Sequence, residues 1–227
     1  MLLRSIAVLA TANVMNNKVA PRLGPVTSAA ATAALVAMAR RSGLSWEEIG
    51  FEHGRRGAIA GGALAAAVAA VYTAGIAHPR TKPLFRDERA LSLSRARVLE
   101  EALLQVPLGT VLLEEVGFRG ALYAMVRQRR GTVAATATSS ALFGLWHILP
   151  AIDMARANPA LGALTAGESP GHLDTARVVA GSVVSTAAAG VLFCELRRRG
   201  GLLTPAMLHL ATNSLGYLFA RIAAKRK

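Results

Sequence analysis

Three short motifs place polar and aromatic residues inside segments of this sequence that are otherwise apolar. Their residues are Glu114, Glu115 and Arg119; Phe143, Trp146 and His147; and His209 and Asn213. Ionisable side chains inside apolar segments are costly and are usually retained for function. A carboxylate, imidazoles and an amide are the groups that take a proton from water, pass it on and stabilise an oxyanion. The residue types therefore offer acid, base and hydrogen-bond donor groups in an apolar environment.

Helical spacing gives these motifs a geometry. Residues four apart share a helix face, so Glu115 can pair with Arg119, and His209 lies on the same face as Asn213. Glu114 points about a third of a turn away from Glu115, so it is free to face a cavity. Each motif also has a structural interpretation that remains open. Glu115 and Arg119 could be a buried structural ion pair. The histidines and Asn213 could make polar contacts between helices, and the aromatic residues could pack or anchor at the membrane interface.

Length and composition define the setting of the motifs. The chain has 227 residues, of which 53% are hydrophobic, and the apolar residues form long uncharged blocks. Such blocks predict a polytopic all-α membrane protein, a single bundle of about six to eight helices with an intramembrane polar cavity. A disordered chain is excluded because it needs low hydrophobicity. A disulfide scaffold is excluded because Cys194 is the single cysteine.

Seven apolar blocks predict the helices that carry the motifs. They cover residues 3–15, 24–39, 57–77, 98–126, 132–149, 176–194 and 204–222. The first block loosely fits a signal peptide, but its apolar core is short, so we interpret it as a membrane helix. Pro107 and Gly109 predict a kink in the fourth block, and Gly131 predicts its end. The blocks indicate six or seven membrane spans.

Shorter signals predict structure between the blocks. Ser45 and Glu48 have capping-box spacing, which predicts a short helix at the membrane surface. Gly57 and Gly61 have the small-xxx-small spacing of closely packed helices. A loop is expected after residue 150, with Asp153, Pro159, Glu168, Pro170 and Asp174. The predicted regions are N-terminal membrane helices at 1–43, a core at 44–222 and a basic tail at 223–227.

The net charge of +13 comes from basic residues that flank the apolar blocks. This distribution is typical of membrane anchoring, so the expected partner is a lipid bilayer. Nucleic-acid binding is not expected, since only 6 Phe, 3 Tyr and 2 Trp are available for stacking on bases. Orientation does not resolve, because strict alternation places either 80–97 or 127–130 on the wrong side. A broken or re-entrant helix across 98–126 would remove that conflict.

The three motifs, in this order, resemble the CPBP family of CAAX-protease and bacteriocin-processing intramembrane proteases, also called the Abi family. The family motifs EExxxR, FxxxH and HxxxN match residues 114–119, 143–147 and 209–213. The segment 44–50 is similar to the family's connector before its core helices, so the resemblance covers about residues 44–220. A further C-terminal helix found in some members is not expected here.

This resemblance, with the residue types, implies an intramembrane endopeptidase. Glu114 would be the general base, and His147 would hold the water with it and pass protons. His209 and Asn213 would donate hydrogen bonds to the oxyanion.

The remaining motif residues would support this chemistry. Arg119 would fix Glu115 and hold the helix so that Glu114 stays ionised. Phe143 and Trp146 would line and shape the substrate pocket. Expected substrates are membrane-associated or lipidated peptides or proteins. Prenylated C-terminal motifs are the substrates of eukaryotic relatives, while the basic, Ala-rich composition indicates a bacterial plasma membrane.

Three alternatives stay open. Glu114, His147 and His209 could hold Zn²⁺ with an open position for water, although the sequence has no HExxH motif. The chain could instead be a non-catalytic immunity or scaffold protein of the same fold, although the intact motifs disfavour this. A transporter with an acidic relay is disfavoured because no paired pattern of broken helices is present.

Overall fold

The computed structural model describes residues 1–157 and 172–224, and all regular elements in those ranges are helices. They are α1 (Leu2–Val14), α2 (Gly24–Arg41), α3 (Trp46–Ile49), α4 (Gly54–Ala77), α5 (Glu88–Leu91), α6 (Arg95–Glu100), α7 (Tyr123–Trp146), α8 (Ile148–Ala157), α9 (His172–Gly200) and α10 (Leu203–Ala224). Wider π-helical turns form Met15–Val19, Glu101–Val111 and Leu113–Leu122, and short 3₁₀ turns form Pro21–Leu23 and Lys82–Phe85. The predicted all-α class is therefore confirmed.

Each of the seven apolar blocks coincides with a helix. In the described part of the chain, four helical stretches are long and apolar enough to cross a membrane: Pro21–Arg41, Trp46–Ala77, Arg95–Arg156 and Thr175–Gly200. The third of these contains two passes, because the chain reverses at Gly131, where φ is 78°. The chain is thus an integral membrane bundle, although α1 and α10 are not among the four stretches.

The prediction that a loop begins after residue 150 is wrong, because the chain is helical as far as Ala157. Pro150 and Asp153 lie inside α8, where Lys18 pairs with Asp153 at 3.1 Å. Proline is tolerated in the first turn of a helix because the N–H that it lacks has no partner there, so Pro150 does not end the helix. Asp174, also predicted in this loop, lies inside α9. The other predicted loop residues Pro159, Glu168 and Pro170, like the tail residues 225–227, lie outside the described residues.

The broken or re-entrant helix across 98–126 that would remove the orientation conflict does not form. Residues 95–122 stay helical through two π-helical segments and continue into α7. Pro107 lies within the first of these segments, and π turns are a common way for a helix to absorb such an irregularity. The basic residues at 80–97 and at 127–130 therefore lie at opposite ends of one pass, which explains why charge alone does not give the orientation.

The close helix contact predicted at Gly57 and Gly61 forms, and it packs α4 against the rest of the bundle. A Cβ on Gly57 would lie 2.5 Å from the carbonyl oxygen of Gly200, and one on Gly61 would lie 2.8 Å from Cβ of Met207. Only glycine permits this approach between α4 and the junction of α9 with α10.

Further along α4, Tyr72 donates to the carbonyl oxygen of Thr212 at 3.2 Å and packs on Phe219, so α4 lies along α10. Its other faces are open, since 6% of its apolar window is buried within the protein.

The connector at 44–50 packs against the helix that carries the first motif. The predicted capping box forms, with Ser45 and Glu48 each accepting from the other's backbone N–H. Ile49 packs at Gly120, where a Cβ would lie 3.3 Å from both Cγ2 and the carbonyl oxygen of Ile49. The buried Arg197 donates to the carbonyl of Glu48 and so ties the end of α9 to the same connector.

Candidate active site

The first motif lies on the π-helical segment Leu113–Leu122, which is at the centre of the bundle. Nine of its ten residues are buried. Gly117 and Gly120 allow neighbouring helices to approach, and Leu35 of α2 would come within 3.1 Å of a Cβ on Gly117. Two carboxylates and a guanidinium are thereby held in the interior, where interactions between charges are much stronger than in water.

Glu115 is held by two partners on different elements. The predicted ion pair forms, with Arg119 Nη1 3.5 Å from Oε1 of Glu115. The same oxygen is 2.7 Å from Nδ1 of His209, which reaches it from α10. Glu115 is 1% exposed and Arg119 is fully buried. Glu115 therefore links the first motif to the third.

Glu114 has a different set of contacts. Its Oε1 accepts a hydrogen bond from the indole N–H of Trp146 at 2.8 Å. Its Oε2 lies 3.6 Å from Nε2 of His209. His209 is thus placed between the two carboxylates, with one ring nitrogen facing each of them.

Arg119 completes this buried cluster through an aromatic contact. Its guanidinium lies 3.6 Å from the ring centroid of Phe143 and 5.0 Å from that of Phe193. A desolvated cation over an aromatic face is stabilised by the ring quadrupole. Phe143 also packs at 4.5 Å from the ring of His147. Phe143 therefore supports Arg119 and His147 from behind.

A cavity of about 520 Å³ opens in front of this cluster. Four of the residues singled out from the sequence line it: Glu114, Trp146, His147 and Asn213. Glu115, Arg119, Phe143 and His209 are not among its lining residues. Further polar residues extend the lining away from Glu114, and they include Asn16, Asn17, Arg22, Arg89, Arg97 and Gln105. The three motifs thus converge: four of their eight residues form part of the cavity wall, and the other four lie behind it.

Two residues that line the cavity can play opposite hydrogen-bonding roles: His147 can accept, and Asn213 can donate. Nδ1 of His147 lies 2.8 Å from the carbonyl oxygen of Phe143. A carbonyl only accepts, so Nδ1 is the donor in this contact, and in a neutral imidazole Nε2 then has the lone pair that can accept from water. The amide of Asn213 has Thr212 Oγ1 3.5 Å from its oxygen, and its NH₂ group has no partner within the described ranges. Asn213 can therefore donate into the cavity.

Of the three residues considered for zinc, Glu114 and His209 approach each other, with Oε2 3.6 Å from Nε2, and His147 lines the same cavity as Glu114. Among the described residues, no three His, Cys, Asp or Glu side chains are arranged to hold a metal ion. Both ring nitrogens of His209 face carboxylates, and Nδ1 of His147 is taken by a backbone carbonyl.

Sequence reasoning missed the contribution of the N-terminal segment and the hydrogen bond of Trp146. Asn16 and Asn17 line the cavity, and the buried Asn13 contacts the backbone of Trp146. A signal was present, because three asparagines follow one apolar helix within five residues. Polar side chains in such a position usually hydrogen-bond to a neighbouring helix.

Comparison with known proteins gives one match. The family model described as type II CAAX prenyl endopeptidase Rce1-like matches residues 101–215, which include all three motifs. Searches of curated proteins and of solved structures found no match.

Proposed function

The chain belongs to the type II CAAX prenyl endopeptidase Rce1-like family, and we propose that it is an active intramembrane endopeptidase that uses a water activated by Glu114 and His147. Membership supports a CAAX-type endopeptidase acting at the membrane. The observation that supports this mechanism is the cavity that Glu114, His147 and Asn213 share. Each of these side chains offers a different function: a carboxylate, an imidazole lone pair and an amide N–H.

Glu114 is the general base in this mechanism. An ionised carboxylate has about four acceptor positions, and the indole N–H of Trp146 occupies one of them. Both groups line one cavity, and the mechanism places there a water that donates to Glu114 and to Nε2 of His147. As the water oxygen bonds to the substrate carbonyl carbon, its proton passes to Glu114.

Asn213 stabilises the oxyanion that this attack creates. Its NH₂ group can donate to the negative oxygen, and one such donor is worth about 10²–10³ in rate. The C–N bond then breaks, and Glu114 or His147 returns the proton to the leaving amine. His209, expected to donate to the oxyanion, instead faces the two glutamates, and we assign it to holding them.

Glu115, Arg119 and His209 keep Glu114 in place. The 2.7 Å contact of His209 with Glu115 joins the helix of the first motif to α10, and the 3.5 Å pair of Glu115 with Arg119 lies within that helix. A buried charge without a partner destabilises strongly, so the cluster forms only when all members are aligned. This alignment gives Glu114 a fixed position on the cavity wall, which is the geometric requirement for a general base.

The substrate class follows from the family and from the site's depth. A peptide bond must reach an interior cavity of a membrane bundle, which a membrane-associated or lipidated peptide does from the bilayer. The prenylated C-terminal CaaX motif is one such substrate. The bacterial plasma membrane is the proposed location, from the basic and Ala-rich composition.

Peptidase activity of the purified protein tests this proposal. The protein, in detergent or vesicles, would be incubated with peptides that end in a prenylated CaaX motif, with the same peptides lacking the lipid, and with a membrane-peptide library. Mass spectrometry identifies the peptide bond that is cut, and the Glu114→Gln protein is the negative control. Cleavage by the wild type alone is expected. Folded wild-type protein that cuts none of these peptides would favour the non-catalytic immunity or scaffold alternative.

A further inference from the structure

The backbone carbonyl of Trp146 lacks its helical partner because of the sequence. In an α-helix this carbonyl accepts from the N–H four residues later, and that residue is Pro150, which has no N–H. The helix is also interrupted here, since α7 ends at Trp146 and α8 begins at Ile148. A buried carbonyl left without a donor is costly, so another group must supply one.

Asn13 of α1 supplies that donor. Its Nδ2 donates to the carbonyl oxygen of Trp146 at 2.8 Å across 133 residues of sequence. Asn13 is 8% exposed, and its own oxygen lies 3.4 Å from Nδ2 of Asn17. The surroundings are otherwise apolar, namely Ile6, Leu9, Ala10, Phe118, Leu142 and Leu145. A hydrogen bond in such surroundings is strong, and its loss is correspondingly costly.

The carbonyl that Asn13 holds lies at the joint between two residues of the proposed mechanism. The side chain of Trp146 donates to Glu114 at 2.8 Å, and His147 follows directly. His147 has φ −84° and ψ 2°, which marks the break between the two helices. A shift of this joint would move the indole away from Glu114 and turn the ring of His147.

We propose that Asn13 is a positioning residue of the active site, which fixes the Trp146–His147 joint and through it the carboxylate of Glu114. Asn13 is not among the residues that line the catalytic cavity, so it acts through Trp146 and His147. The family match begins at residue 101, and α1 is therefore an additional part of the catalytic unit. The kinetic consequence rests on the proposed function, whereas the positional claim can be tested without activity.

Tryptophan fluorescence tests the positional claim. The chain has two tryptophans, so Trp46→Phe leaves Trp146 as the only reporter. In that background, Asn13→Leu removes the amide donor and puts an apolar side chain of similar size in its place. The expected result is a shifted Trp146 emission and greater quenching by acrylamide. The matched control is Thr11→Val, an exposed position on the same helix, which should leave the emission unchanged.

Kinetics test the consequence for the reaction. Asn13→Leu is expected to lower kcat about 10–100-fold, the usual cost of losing a group that orients a catalytic residue, with KM little changed. Thr11→Val should keep wild-type kinetics. If Asn13→Leu does not fold, Asn13→Ala removes the same donor without added bulk and is measured in the same way.

The two measurements separate the possible failures. An Asn13 variant that melts earlier but keeps the Trp146 emission and kcat would show a merely structural role and overturn the inference. Wild-type protein without any activity would refute the proposed function, and the emission measurement would still decide whether Asn13 holds Trp146.

Discussion

The same substitution at two adjacent residues is expected to have opposite consequences. Glu114 and Glu115 are both almost fully buried, at 3% and 1% exposed. Glu114 lines the cavity and is hydrogen-bonded by a neutral indole. Glu115 lies behind the wall and contacts Arg119 and His209. Replacing each in turn by glutamine therefore separates the catalytic carboxylate from the structural one.

Glu114→Gln removes the base with little change in shape. The amide oxygen of glutamine can still accept from Trp146, so the fold should be retained. The loss of a general base costs about 10²–10⁴ in rate, which corresponds to about 3–5 kcal/mol in the barrier. Substrate binding should change little, because the side chain keeps its size.

Glu115→Gln removes the negative partner of a fully buried guanidinium. Breaking a buried ion pair in this way costs about 3–5 kcal/mol of stability, which is a large part of the usual stability of a folded domain. The variant should therefore melt well below the wild type. Any activity it retains should be proportional to the amount of folded protein.

Thermal melting and kcat/KM, normalised to folded protein, measure both variants side by side. Glu114→Gln should melt near the wild type and be almost inactive. If Glu114→Gln kept activity within about tenfold of wild type, less than the smallest general-base effect, the base would lie elsewhere. If the two melting results were reversed, Glu114 would be the structural carboxylate.

Three further predictions concern Asn213, the contact of α4 and the metal question. Asn213→Ala should lower kcat about 10²–10³-fold; an unchanged kcat would remove Asn213 from the oxyanion site. Gly61→Ala should lower the melting temperature, because its Cβ would lie 2.8 Å from Cβ of Met207, whereas Gly62→Ala meets nothing closer than 3.8 Å and should be neutral or slightly stabilising. Activity should persist in a chelator; zinc near one per chain, lost in His209→Ala, would contradict the metal-free mechanism.

The features that the sequence predicts well are those that depend on neighbouring residues. The capping box at Ser45, the reversal at Gly131 and the ion pair of Glu115 with Arg119 are confirmed. Each depends on spacing within one or two turns, where helical geometry alone determines which groups meet. The apolar blocks also predict the helices well, because the thickness of the bilayer sets the length of an apolar helix that crosses it.

The features that could not be predicted depend on which helices pack together. Spacing places His209 on the face of α10 that carries Asn213, but it does not say what that face meets. Because α10 crosses the first motif at the level of both glutamates, His209 binds Glu115 and only Asn213 reaches the cavity. The two residues of one motif therefore have different tasks, which four-residue spacing does not distinguish.

The position of Glu114 shows why a buried site needs neutral as well as charged support. If Glu114 had the contacts of Glu115, one carboxylate oxygen would be shared between Nη1 of Arg119 and Nδ1 of His209. The indole N–H of Trp146 instead holds Oε1 of Glu114 at 2.8 Å, and Oε2, which lies 3.6 Å from Nε2 of His209, has no hydrogen-bond partner among the described residues. Glu114 is thus oriented by one neutral donor and keeps acceptor positions for a water, while the charged pair stabilises the helix that carries it. On this reasoning Trp146→Phe should lower kcat of the folded protein strongly and should lower the melting temperature less than Glu115→Gln does.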